Sequence, residues 1–191
     1  MRQLKYYIAC SVDGFIAHED GSFDGFLMEG EHILDLAKSF PETFPAHFRD
    51  VLGIYAENKC FDTVLMGRKT YEVGSNIGVT NPYPHMRQYL FSRNMEESLD
   101  ENVELVSSDT VRFVKDLKNH TGKDIWLCGG ADLATTLFNE NLIDEIILKV
   151  NPFLIGSGIP LLAQTIEQTA LELIERKVYG NGVLLLQYRV S

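Results

Sequence analysis

Apolar residues recur along the chain with two spacings. Short apolar runs bounded by Gly, Pro, Asn or Asp read as strands, and apolar residues three and four apart read as helices. By the first criterion residues 4–10, 61–66, 88–91, 103–106, 125–128, 146–150, 170–178 and 183–190 are expected strands. By the second, Ile33, Leu36, Ala37 and Phe40 mark one helix; Phe48, Val51, Leu52, Tyr55 and Ala56 mark another whose stripe faces the core. Pro41 and Pro45 separate the two. A short helix follows Gly67 and is broken by Gly74, Gly78 and Pro82. Val111, Val114 and Leu117 give a helix that Ser108 or Asp109 is expected to cap. Leu133, Ala134, Leu137 and Phe138 give the last helix, and Y-G-N-G at 179–182 joins the final two strands as a hairpin. The polar stretch after the first strand and F-L-I-G-S-G-I-P-L-L are expected loops.

Early strands that alternate with helices imply a mostly parallel sheet covered on both faces. The expected fold is therefore α/β, a three-layer α/β/α arrangement with a mixed eight-stranded sheet and an antiparallel C-terminal hairpin. Residues 1–191 are expected to form one domain, with no repeat and no linker. In such sheets ligands gather at the carboxyl ends of the strands. Four of those ends carry S-V-D-G, G-R-K-T, S-R-N and G-G-A-D.

Composition narrows the partners. A formal net charge of -10 argues against nucleic acid and anionic membranes, and makes a local cluster of cations more informative. No apolar run approaches the ~20 residues of a membrane-spanning helix. The start, MRQLKYYIAC, reads as a strand rather than a signal peptide. The three cysteines are widely spaced in apolar sequence, so reduced thiols and a cytoplasmic location are expected. No zinc-hydrolase, zinc-deaminase or G-x-S-x-G pattern is present.

Each motif has a functional and a plain structural reading. In V-L-M-G-R-K-T-Y-E an interior strand runs into Gly67, Arg68, Lys69 and Thr70. Cations at a helix start are unfavourable unless an anion sits there, which favours a phosphate site over a solvated first turn. Gly129 and Gly130 permit a tight bend with free amides, equally a pyrophosphate site or a simple strand-to-helix connection. Ser92 and Arg93 are a surface turn when taken alone; beside G-R-K-T they suit the extra phosphate of NADPH. Neither a Walker A loop nor a G-x-G-x-x-G fingerprint is present. Asp13 closes an Asp-Gly turn, or acts as an acid if burial raises its pKa. Asp50 lies about 200° from the apolar stripe of its helix and faces solvent or a cleft.

Taken in order, S-V-D-G-F-I-A, V-L-M-G-R-K-T-Y-E, L-F-S-R-N, W-L-C-G-G-A-D-L and P-F-L-I-G-S-G-I-P-L resemble the dihydrofolate reductase superfamily. More closely they resemble the reductase domain of riboflavin biosynthesis and its stand-alone relatives. The resemblance spans nearly the whole chain and implies an NADPH-dependent oxidoreductase. Gly67, Arg68, Lys69 and Thr70 would then lie by the phosphates, Ser92 and Arg93 at the adenosine end, and Gly129, Gly130, Ala131 and Leu133 at the pyrophosphate. Ala9 and Ile16 would border the nicotinamide, with Asp13 at the substrate mouth and Asp50 as a second candidate acid. The substrate would be a small pteridine- or aminopyrimidine-like molecule, as in riboflavin or folate metabolism. Relatives of this kind are commonly homodimers. An alternative on the same fold is a non-catalytic NADP(H)-binding sensor or assembly protein. Dihydrofolate reductases usually carry three consecutive glycines where this chain has Gly129-Gly130-Ala131, which weakens folate itself as substrate.

Overall fold

The computed structural model describes residues 1–163 and 166–191. In chain order the elements are β1 (Leu4–Ser11), β2 (Phe15–Ala17), α1 (Glu31–Ser39), α2 (Ala46–Leu52), β3 (Phe61–Gly67), α3 (Arg68–Ser75), β4 (Arg87–Phe91), β5 (Val103–Val106), α4 (Thr110–Asn119), β6 (Asp124–Gly129), α5 (Ala131–Asn139), β7 (Glu145–Asn151), β8 (Ile159–Pro160), β9 (Leu171–Val178) and β10 (Leu184–Val190). All eight expected strands form and make one sheet in the order β5-β4-β3-β6-β1-β7-β10-β9. Pairs from β5 to β7 are parallel, and β10 runs antiparallel to both β7 and β9. A small antiparallel ribbon joins β8, inside the expected loop F-L-I-G-S-G-I-P-L-L, to β2, inside the S-V-D-G-F-I-A stretch that ends the first strand.

Alternation along the strands sends side chains to two cores. On one face Leu4, Tyr6, Leu65, Ile125 and Leu127 pack under Val114 and Leu117 of α4 and Leu133, Ala134 and Leu137 of α5. On the other, Tyr7, Val64, Met66, Trp126 and Ile147 pack under Leu36 of α1 and Tyr71 of α3. The three-layer α/β/α expectation is met.

Three local expectations are corrected. Helix α2 ends at Gly53 in the left-handed conformation, φ 62°, so Tyr55 and Ala56 lie beyond it. Its apolar stripe is not core: Val51 is 81% exposed, and Phe48, Leu52 and Tyr55 are exposed as well. The helix is held by backbone-directed bonds instead, from Arg49 to the Pro41 and Ala56 carbonyls and from the Ala46 amide to Pro82. Periodicity reveals an apolar face without revealing whether anything covers it. Neither Ser108 nor Asp109 caps α4, because Asp109 takes the left-handed conformation, φ 50°, rather than the extended one a capping side chain needs. Strand β9, whose L-E-L-I-E-R-K-V pattern suits core and edge sheet or equally a dimer contact, is an edge strand that leaves Leu171, Leu173, Ile174 and Val178 exposed, since it pairs only with β10.

One buried carboxylate fixes how the chain enters β3. Glu42, fully buried in a short 3₁₀ turn over Pro41–Thr43, accepts the amides of Lys59 at 3.1 Å, Cys60 at 2.6 Å and Phe61 at 2.6 Å. Replacing Glu42 with Ala leaves these donors without that acceptor. The expected cost is about 3 kcal/mol, read as a lower urea midpoint with unchanged slope.

Candidate active site

Strand order decides which motifs meet. The carboxyl ends of β4, β3, β6 and β1 are consecutive neighbours, so Ser92, Gly67, Gly129 and Ser11 close four adjacent strands. Gly67 lies against the second glycine turn: a Cβ added to it would stand 3.1 Å from the Gly130 nitrogen and 3.5 Å from the Gly129 oxygen. The Thr70 hydroxyl approaches the same turn, 3.5 Å and 3.3 Å from the positions a Cβ would take on Gly129 and Gly130. Gly129 also has φ 126°, which side-chain-bearing residues rarely adopt, and the Gly129–Gly130 peptide is cis.

The two turns start two helices side by side. No side chain caps the first turn of α3 or of α5, so the amides that open both helices are not engaged by a capping group. Arg68 reaches Glu72 on its own helix at 3.5 Å, and both are substantially exposed. Lys69 and Arg93 are exposed and form no salt bridge among the described residues. Ser92 follows β4, with its amide bonded to Val106 and its hydroxyl accepting the Asn94 amide. Ala131 and Leu133 are buried on the first turn of α5 and shape the wall rather than donate from side chains. The donor set is backbone amide, hydroxyl and exposed cation with little carboxylate, which fits a polyphosphate.

Of the two alternatives for each candidate acid, the structure takes the turn for Asp13 and solvent for Asp50. Asp13 is exposed, not buried. It accepts the Ser11 hydroxyl at 2.6 Å and the amides of Ile155 and Gly156 at 3.1 and 2.8 Å. The Ser11 bond, helped by those amides, holds its carboxyl below the ordinary value, opposite to the rise a proton donor needs. Its evident structural role is to sew the S-V-D-G turn to the loop before β8. Asp50 sits on α2, whose bonds go to Pro41 and Pro82, in the segments leading into the amino ends of β3 and β4. The structure does not bring it to the glycine turns.

Ala9 and Ile16 lie where β1 and β2 approach the cleft, both half-buried. Beside Ala9, its register partner on β7 is Lys149, only 9% exposed. The Lys149 ammonium has one long bond, 3.4 Å to the Leu27 carbonyl, and no carboxylate partner among the described residues. The same carbonyl lies 3.1 Å from His32 Nε2, while Asn181 reaches His32 Nδ1 at 2.9 Å. That network suits a neutral imidazole with its proton on Nε2, and burial lowers the His32 pKa accordingly. Burial likewise pulls the Lys149 pKa from 10.5 to about 8. Sequence reading missed Lys149, although a lysine inside I-I-L-K-V-N is a visible break in an apolar strand.

Comparison with known proteins shows the family and the fold. The family model of the RibD C-terminal domain matches residues 2–185. The chain belongs to the RibD C-terminal domain family. It is similar to the uncharacterized protein YwjB of Bacillus subtilis (strain 168), with 36% identity over 187 residues covering 96% of each chain. Among solved structures it resembles a putative riboflavin biosynthesis protein from Shewanella sp. PV-4, with TM-score 0.74, 23% identity, and 100% and 99% of the two chains covered. It also resembles the diaminohydroxyphosphoribosylaminopyrimidine deaminase/5-amino-6-(5-phosphoribosylamino)uracil reductase of Thermotoga maritima, with TM-score 0.65 and 13% identity. There all of this chain covers 57% of the longer one. The RibD C-terminal fold, related to riboflavin-biosynthesis reductases, is thereby shown, as the five motifs implied. No helix among the described residues is long and apolar enough to cross a membrane.

Lys149 has a consequence for stability. Its folded-state pKa lies below its unfolded one, so burial destabilises the fold fully below about pH 8, and the penalty fades as pH rises toward 10.5. Lys149→Met is expected to raise stability near neutrality by on the order of 3 kcal/mol. It should also abolish the rise in unfolding free energy across that alkaline window, as followed by urea titration at stepped pH.

Proposed function

We propose that the protein is an NADPH-dependent reductase that delivers a hydride to a C=N or C=O carbon of a small, pteridine- or aminopyrimidine-like substrate. One observation carries this reading: the turns at Gly67–Thr70 and Gly129–Gly130 meet within van der Waals distance beside the end of β4. Amides opening α3 and α5, with Thr70 and the cations at 68 and 69, would hold the pyrophosphate. Ser92 and Arg93 would meet the adenosine 2′-phosphate, and Ala9 and Ile16 would border the nicotinamide. NADPH, when bound, supplies the hydride; the protein's part is to orient the two reactants and exclude water. The family and the reductase named among its structural relatives support the same class.

A second reading, nucleotide binding without turnover, draws on a specific fact. Neither Asp13, held ionised in a turn, nor Asp50, remote on α2, stands as a buried acid. Steady oxidation of NADPH with dihydropterin, aminopyrimidine or simple carbonyl compounds separates the two readings. A homodimer and a cytoplasmic location remain part of the proposal.

Fluorescence titration tests the cofactor directly. NADPH is expected to bind at least about tenfold tighter than NADH, and Arg93→Ala should remove most of that preference while leaving NADH affinity unchanged. Gly129→Ala should weaken both nucleotides by more than about tenfold, because its φ of 126° disfavours a side chain. Equal affinity of the unmodified protein for NADPH and NADH would overturn the role given to Arg93.

A further inference from the structure

The buried amine of β7 is used by no part of the cofactor site described above. Three facts single it out. Lys149 shares the α1-facing side of the sheet with Ile147 and pairs in register with Ala9, so it borders the space assigned to the nicotinamide. It has no counter-ion among the described residues, unlike Lys5 on the same face, which is bridged by Glu145 and Asp124. Its single bond, to the Leu27 carbonyl, is at the limit of hydrogen-bond length. An ammonium placed in this way satisfies itself poorly in the protein alone.

We propose that Lys149 is the proton donor of the reductase, passing its Nζ proton to the heteroatom of the substrate's C=O or C=N bond. The inference rests on the nicotinamide lying against Ala9. As the carbon takes the hydride pair from the dihydronicotinamide, the π bond breaks, a C–H bond forms, and the heteroatom takes the Lys149 proton. The substrate is reduced, the nicotinamide is oxidised to its cation, and Lys149 is left as a neutral amine that later regains a proton from water. The buried space thus holds one positive charge before the step and one after it. The substrate class that follows has an oxygen or nitrogen directly on the hydride-accepting carbon, within reach of Nζ.

This charge balance predicts how the two cofactor forms bind without any substrate. Oxidised NADP+ brings a ring cation beside Lys149, so it binds well only when the amine is neutral; NADPH has no such requirement. Neutral amine is about one-tenth of the population at pH 7 when the pKa is about 8. NADP+ affinity is therefore expected to tighten about tenfold between roughly pH 7 and pH 9.5, while NADPH affinity changes less than about twofold. The 2′-phosphate is common to both forms and cancels in the ratio. Groups facing this region from neighbouring elements are Glu31, His32 and Asp35 on α1, Tyr7 on β1, and Lys177 and Tyr179 on the hairpin. Asp35 and His32 have lowered pKa values, and those of Tyr7 and Tyr179 are raised, so none of these four titrates near pH 8.

The test is fluorescence and calorimetric titration of NADP+ and NADPH across that pH range with the unmodified protein, Lys149→Met and Lys149→Arg. Calorimetry in buffers of different ionisation enthalpy should show close to one proton released per NADP+ near neutrality. Lys149→Met should bind NADP+ tightly at every pH, without proton release. Lys149→Arg, whose guanidinium keeps its charge, should bind it weakly at every pH. A NADP+ to NADPH ratio independent of pH in the unmodified protein overturns the role of Lys149 and leaves the reductase reading standing. Failure of both nucleotides to bind overturns that reading and this one with it. If Lys149→Met does not fold, the unmodified protein and Lys149→Arg still decide.

Discussion

The approach of Gly67 to the Gly129–Gly130 turn is the contact on which the rest of the site depends. Strands β3 and β6 are parallel neighbours, and each ends by starting a helix on the carboxyl side of the sheet. A Cβ on Gly67 would press on the Gly130 backbone nitrogen at 3.1 Å, so the two helix starts stand this close because that turn carries no side chain. The absence of a methyl group there sets the spacing of α3 and α5. That spacing in turn gathers their opening amides at one place.

Electrostatics then divides the cleft in two. The half on β4, β3 and β6 offers amides, hydroxyls and the exposed cations of 68, 69 and 93, against a chain whose net charge is -10. The half on β1 and β7 is drier and holds Lys149 and the neutral His32 around one carbonyl oxygen. Asp13 stands between them but spends its lone pairs on Ser11, Ile155 and Gly156, so it shapes the rim.

Sequence reading recovered the eight-stranded sheet because its strands are long apolar runs with glycine or proline at their ends. It also singled out the two turns that the fold brings into contact, since Gly67–Thr70 and Gly129–Gly130 are local motifs placed by the strand before and the helix after each. It failed where the deciding partner is distant in sequence. Glu42 meets amides at 59–61, and Asp13 meets amides at 155 and 156; neither link leaves a local trace. The stripe on α2 was periodic but uncovered, and Lys149 lay hidden inside a strand whose two buried faces only the register of Ala9 explains.

The hairpin turn between β9 and β10 grips the start of α1 at three points: Gly180 donates to Glu31, Asn181 meets His32, and Tyr179 bonds Asp35 at 2.6 Å. During synthesis β1 and α1 emerge well before the strand that completes their surroundings. A nascent chain must therefore hold α1 unclamped, with the sheet open beside β7, until β9 and β10 have been delivered. Closure of the cleft on that side thus waits on the hairpin, an order dictated by the sequence in which the ribosome delivers the pieces.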